Sequence, residues 1–292
     1  MKRRDVLEIA GLSIAIDSED EILQCGWDPP FARFLVDFDD VPATVDLQLT
    51  VRTEESPSPS GELIFDSGAV WRMFRTSNGY LIDCRSEAFE APCYKTAEFD
   101  VDFTHGTIAI SHEVLALGRN PLDYPLDEVI ISNLLGRNRG VELHSCGVID
   151  EKGRGHLFVG VSGAGKTTTA RLWEGRASEI VSDDRVIVRE HDGVMRMFGT
   201  PWHGEAELSS RTSAPLAGVY LLAQAGSNEL HELSSSAAVA RLLACAFPLF
   251  YHPPAMDFTL GFLERLVSMV PVRELRFLPH PSIVDVVLQE PA

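Results

Sequence analysis

The sequence predicts an α/β protein, α+β over the whole chain, with a mainly-β domain over residues 1–122 and a mixed-sheet domain over residues 123–292. Three observations predict it. The first part alternates apolar and polar residues in short runs broken by turn-forming stretches. From Pro125 onward, helical and strand patterns interleave. Between one of those strands and one of those helices stands the glycine-rich run Gly160-Val161-Ser162-Gly163-Ala164-Gly165-Lys166-Thr167. A chain of 292 residues also exceeds the usual size of one domain.

In the first part Leu12-Ser13-Ile14-Ala15-Ile16, Val45-Asp46-Leu47-Gln48-Leu49-Thr50-Val51 and Phe99-Asp100-Val101-Asp102-Phe103 have the period of half-buried strands. The stretch Glu55-Ser56-Pro57-Ser58-Pro59-Ser60-Gly61 reads as an exposed loop. Short strands at this spacing predict an antiparallel sheet or sandwich.

The character changes near Asn120-Pro121. Leu126, Val129, Ile130, Leu134 and Leu135 have helical spacing, with Gly136 near the end. Strands follow at Val141-Glu142-Leu143-His144, Cys146-Gly147-Val148-Ile149 and Leu157-Phe158-Val159, and a helix is expected from Thr168 to Trp173. Further strands are expected at Ile180-Val181, Val186-Ile187-Val188 and Val219-Tyr220-Leu221-Leu222. Residues 237–246 and 258–270 read as helices, the second stopped by Pro271, and Ser282 is placed to cap a last helix over residues 283–288.

Composition narrows the function. Hydrophobic residues make up 45% and charged residues 23%, ordinary for a soluble globular protein. No apolar run reaches membrane-span length, and the start Met1-Lys2-Arg3-Arg4-Asp5 leads into no signal-peptide core, so no membrane partner is expected. A formal net charge of −18 argues against nucleic acid and anionic lipid as partners. The five cysteines, at 25, 84, 93, 146 and 245, have no C-x-x-C pair, so neither a zinc site nor a disulfide framework is indicated and a reducing cytoplasm is expected. Histidines 105, 112, 156, 191, 231, 252 and 280 form no metal-ligand cluster and read as surface or structural.

The run 160–167 fits the Walker A pattern G-x-x-x-x-G-K-[ST], in the strand–turn–helix context that pattern requires. Such a turn places main-chain N–H donors around an anion at the positive end of a helix. Gly160, Ser162, Gly163, Ala164, Gly165, Lys166, Thr167 and Thr168 are the nucleotide-binding candidates. Lys166 would reach the β- and γ-phosphates, and the Thr167 hydroxyl a magnesium ion. Asp183 and Asp184 follow the apolar Ile180-Val181, at the end of a strand. Adjacent side chains on a strand point to opposite faces, so one acid faces the metal region and the other an incoming hydroxyl.

A loop of the form G-x-S-G-x-G-K-[ST], a later Asp-Asp and a histidine on the strand before the loop resemble the catalytic domain of HPr kinase/phosphorylase. The resemblance covers about residues 123–290 and implies a P-loop, mixed-sheet kinase core using ATP and magnesium. It implies that Asp184 accepts the proton of the acceptor hydroxyl, that Asp183 lies beside it at the metal, and that the family's upstream histidine is His144, with about one residue of slippage. ATP-dependent phosphoenolpyruvate carboxykinase has a similar nucleotide-binding core, and its loop is similar to Ser162-Gly163-Ala164-Gly165-Lys166-Thr167-Thr168. The chain is short for that enzyme and shows no oxaloacetate site.

The family motif Glu-x-Arg-Gly-hydrophobic-Gly is missing after Asp184. In its place stands Phe198-Gly199-Thr200-Pro201-Trp202-His203-Gly204-Glu205, then Arg211. That segment is similar to the loop of HPr-kinase-related proteins of bacterial gene clusters, some of which modify serines of peptides. Either it faces the substrate, with Glu205 as a second metal ligand or His203 as a phosphate contact, or it is a packed turn with Trp202 in the core. Arg185 reads as a phosphate contact or as a solvated strand-end charge. The expectation is therefore an ATP- and magnesium-dependent kinase acting on a hydroxyl of a peptide or small protein. The rival is a nucleotide-sensing module without transfer. A homo-dimer is the base-rate expectation for assembly.

Overall fold

A computed structural model describes residues 4–18, 26–54, 58–88, 93–177 and 179–289, with the backbone alone at Phe38. Residues 1–3, Cys25 and residues 55–57 of the expected loop lie outside the described residues. The protein is a mixed α/β chain with two mixed sheets, and it divides into two compact units, Met1–Leu134 and Leu135–Ala292.

The first unit runs β1 (Arg4–Ile9), β2 (Leu12–Ser18), α1 (Pro29–Ala32), β3 (Leu47–Thr53), β4 (Glu62–Asp66), β5 (Trp71–Arg75), β6 (Gly79–Arg85), β7 (Cys93–Asp100), β8 (His105–Ile110), α2 (His112–Ala116) and α3 (Leu126–Leu135). Its strands form one sheet in the order β1-β2-β3-β8-β7-β6-β5-β4. On β3, Leu47, Leu49 and Val51 are buried while Gln48 and Thr50 are half-buried, the alternation read from the sequence. The sheet departs from the antiparallel expectation, because β2–β3 and β3–β8 are parallel. The chain between β2 and β3 passes through α1 and is long enough for the same-direction return that a hairpin cannot make.

The strand expected at residues 99–103 is also corrected. β7 ends at Asp100, and a turn follows in which Thr104 N and Oγ1 donate to the Asp100 carboxylate. Phe103, at φ 54°, folds back to stack on Phe99 with ring centroids 4.4 Å apart. The apolar alternation there came from a turn residue inserted into the core.

The second unit runs β9 (Val141–Ile149), β10 (Gly155–Val159), α4 (Lys166–Trp173), β11 (Glu179–Ser182), β12 (Arg185–His191), β13 (Val194–Phe198), β14 (Ser213–Gln224), β15 (Glu229–Glu232), α5 (Ser235–Leu243), α6 (Pro253–Met269), β16 (Val272–Phe277) and α7 (Ser282–Leu288). The sheet order is β10-β9-β12-β13-β14-β16-β15, with β11 on β9 and a further β10–β14 pairing. The strands β10, β14 and β16 are parallel.

Residues 155–159 of β10 and 218–222 of β14 are buried on both faces, which explains their near-continuous apolar runs. Leu157, Val159, Val219 and Leu221 pack with α5 and α6 residues such as Leu242 and Phe262. The alternate residues Phe158, Tyr220 and Leu222 pack with Trp173 of α4 and Ile283 and Val284 of α7. Ser282 is not the cap of α7. The N-cap is Pro281, and the Ser282 hydroxyl instead bonds Asn228 Nδ2 at 2.9 Å. The described cysteines, 84, 93, 146 and 245, are all free thiols, and no helix among the described residues is long and apolar enough to cross a membrane.

Candidate functional site

The glycine-rich run connects β10 to α4 at the carboxyl ends of the three parallel strands. The first strand, β10, delivers Gly160 directly. From the end of β14, Gln224 Nε2 donates to Gly163 O at 3.0 Å. From the end of β16, the Phe277 ring lies where a Cβ on Gly165 would sit, 2.2 Å from that position. The crevice at the carboxyl ends of parallel strands is where open α/β sheets bind ligands. Gly165 is the N-cap of α4 at φ 108°, with no side chain to cap the first-turn amides and no acid within that turn. Those amides have no acceptor inside the helix, so they are donors for an anion.

Lys166 is 6% exposed, and its Nζ donates to Gly160 O at 3.0 Å and Val161 O at 3.2 Å. Burial pushes its pKa below the ordinary lysine value, against the pull of Asp184. Thr167 is half-buried and Thr168, Ser162 and Gly163 are exposed, while Gly160 is buried and Ala164 and Gly165 half-buried.

One strand ties this loop to the acids. At His144 of β9 the main-chain carbonyl accepts from Gly160 N at 3.3 Å, and the next residue, Ser145, donates its N–H to Asp184 O at 2.9 Å. The His144 side chain completes the link, with Nε2 3.2 Å from Asp184 Oδ1. The other Asp184 oxygen is 3.4 Å from Arg185 Nε. The hydrogen bond with His144 holds Asp184 below the usual carboxylate range; burial opposes this, and the charges of His144, Arg185 and Lys166 add to it. Arg185 is not a free strand-end charge. Its guanidinium bonds Glu142 Oε1 at 3.1 Å and lies over the Phe247 ring at 4.2 Å.

The two aspartates differ as adjacent strand-end residues should. The Asp184 side chain is 30% exposed, whereas Asp183 is 1% exposed. Asp183 Oδ1 accepts from Gly204 N at 2.8 Å and Leu208 N at 3.4 Å, and Oδ2 from Ala206 N at 3.0 Å. Trp202 is buried, His203 is half-buried with Nδ1 3.1 Å from Gly204 O, and Glu205 is exposed. Among the described residues no group of three or more His, Cys, Asp or Glu could hold a metal by itself. Magnesium beside a nucleotide needs only one or two protein oxygens, the rest coming from phosphates and water. The Thr167 hydroxyl fits that requirement; the Asp183 carboxylate, 1% exposed with three amides on it, does not.

Several contributors were not foreseen in the sequence. Ser182 Oγ accepts from Asp184 N and Arg185 N and donates to Trp202 O, and it sits directly before the Asp-Asp pair, where a serine-centred turn was a readable signal. Phe247, Phe277 and Gln224 reach the site from distant segments, and nothing local marked them.

No family model matches the sequence, and no curated protein matches it. Among solved structures, the HPr(Ser) kinase/phosphatase from Coxiella burnetii overlaps part of the chain at 12% identity, covering 44% of this chain and 92% of that one, with a TM-score of 0.23. A likeness at that score carries no argument about fold or activity.

Proposed function

We propose that the chain is an ATP- and magnesium-dependent kinase related to HPr kinase, transferring the γ-phosphate to a hydroxyl, the serine of a peptide or small protein. One observation carries the reading. The consecutive residues His144 and Ser145 hydrogen-bond through their main chain to the first glycine of the loop and to Asp184. A polyphosphate cradle and an ionised acid are thereby fixed side by side, and phosphoryl transfer asks little more of a protein than such positioning and charge.

In this reading the amides at the start of α4 hold the phosphate oxygens. Lys166 leaves Gly160 O and Val161 O to meet the β- and γ-phosphates; its partial desolvation strengthens that contact. Asp184 receives the hydroxyl proton, and His144 orients it. Thr167 is the first donor for magnesium, with the exposed Glu205 as the accessible acid. When bound, the ion neutralises charge on the phosphates and fixes their orientation.

The test pairs two variants with γ-labelled ATP and a cell extract or peptide library as the acceptor source. Lys166→Met should weaken MgATP binding about 10- to 100-fold, the worth of a charge-assisted contact, with the thermal midpoint kept. Asp184→Asn should bind MgATP within about threefold of the parent yet label acceptor about 100-fold or more slowly. Tight binding with no labelled acceptor in the parent protein would leave a nucleotide sensor in place of a kinase.

A further inference from the structure

The two aspartates invite a paired role at the metal, yet their surroundings separate them. A carboxylate offers about four lone-pair directions. Three of those on Asp183 are taken by the N–H groups of Gly204, Ala206 and Leu208. The Gly204 backbone lies so near Oδ2 that an added Cβ would sit 2.7 Å from that oxygen and 3.3 Å from Cγ. Magnesium demands an oxygen at about 2.0–2.1 Å and keeps waters around it. A side chain 1% exposed, with three amides aimed at it, has no room for such a shell.

The same segment is fastened to the Asp-Asp turn at further points. Thr200 Oγ1 donates to Arg185 O at 2.7 Å, Ser182 Oγ donates to Trp202 O at 3.1 Å, and Ser210 N donates to Val181 O at 3.0 Å. Ser182 Oγ in turn receives Asp184 N at 3.2 Å, which sets the direction of the exposed acid. Residues 200–210 thus form a brace around residues 181–185, and the Asp183 carboxylate is its central anchor.

We infer that Asp183 is a positioning residue that docks residues 204–208 onto the Asp-Asp turn and so holds Asp184 at the loop, and that it is not a magnesium ligand. The consequence for transfer rests on the kinase reading above; the anchor itself does not. An ionised acid suits the role because three main-chain amides converge on it, a charge-assisted arrangement. Asparagine would turn an amide donor toward one of those N–H groups. Gly204 belongs to the same device, since a side chain there would press on the carboxylate.

Amide hydrogen exchange on the full chain, without nucleotide, tests the anchor. In Asp183→Asn the amides of Gly204, Ala206 and Leu208 should exchange about 10- to 100-fold faster, from the loss of charge-assisted bonds. Gly204→Ala, which keeps the carboxylate, should raise exchange at the same amides. Calorimetry with MgATP across a magnesium series tests the metal clause. In both variants the nucleotide affinity and the half-saturating magnesium concentration should stay within about threefold of the parent, while labelling of the acceptor by γ-labelled ATP falls about tenfold or more. Unchanged exchange at the three amides in Asp183→Asn would overturn the anchor. A tenfold or greater rise in the magnesium requirement in Asp183→Asn alone would make Asp183 a ligand and overturn the inference. If the parent protein binds no MgATP, the kinase reading fails, and the exchange measurement still decides the anchor.

Discussion

At Asp150 a single carboxylate collects the hydrogen bonds of an entire turn. Its Oδ1 accepts from Lys152 N and Arg154 N, each at 2.9 Å, and its Oδ2 meets Arg154 Nε at 2.8 Å and His156 Nε2 at 3.2 Å. Burial alone would raise its pKa; the bonds from Arg154, His156 and Lys152 outweigh it and bring the value down to about 2. Burial holds the neighbouring His156 below its ordinary value, and that ring stacks on Trp173 at 5.6 Å and Tyr220 at 6.1 Å. The sign follows from the depressed acid: the folded chain binds fewer protons than the unfolded one between about pH 4 and pH 2. Its stabilisation is therefore full above about pH 4 and is lost as pH falls through about 2. Asp150→Asn should cost about 1–3 kcal/mol at pH 7, with the deficit against the parent narrowing below pH 4. Urea unfolding of both proteins at pH 7 and in steps below pH 4 checks it, and a deficit that stays constant with pH would remove the titration argument.

The element that decides the candidate site is β10, its loop and α4, and two glycines in it separate backbone strain from packing. At Gly163, φ is 80° and a Cβ would meet nothing within 4 Å. Gly165, at φ 108°, would put a Cβ 2.2 Å from Phe277 Cζ. Gly163→Ala should cost about 1 kcal/mol, the price of a left-handed residue alone, whereas Gly165→Ala should cost about 2–4 kcal/mol by adding displacement of a buried ring. Thermal unfolding ranks them, and equal losses would show that Phe277 moves aside freely. This element was legible in the sequence, because strand, glycines and helix are all local signals; so were α3 and the apolar centre of β14, whereas β9 is one strand where two were read, its Ser145 being buried within it. What was hidden depends on distance along the chain. The strand β16 reads Val272-Arg273-Glu274-Leu275-Arg276-Phe277, in which charge masks the period, and only Val272, Leu275 and Phe277 are buried where it pairs with β14. The engagement of Asp183 by amides 21 to 25 residues away follows no local rule, so the Asp-Asp pair read as a pair when its members face different surroundings.

At the scale of the whole molecule, the second unit carries all the parts assigned to nucleotide binding, and its core closes within itself. Both packed clusters around the central strands, one with α5 and α6 and one with α4 and α7, draw only on residues beyond Leu135. Each fully buried Val, Leu, Ile or Phe contributes about 1.5–3 kcal/mol relative to exposure, and a unit of this length lies within the usual range for a domain. A chain of residues 135–292 should therefore unfold in one cooperative step and bind MgATP within about threefold of the full protein. The formal charge is −18 for the full chain and −3 for residues 135–292, so the repulsion of polyphosphate differs between the two forms and their affinities should be compared at an ionic strength high enough to screen it. Calorimetry on the shortened chain, after circular dichroism has established a sharp melt, makes the comparison. A folded fragment with no affinity would mean that Met1–Leu134 supplies part of the nucleotide site. Retained affinity together with lost acceptor labelling would instead assign recognition of the acceptor to that unit.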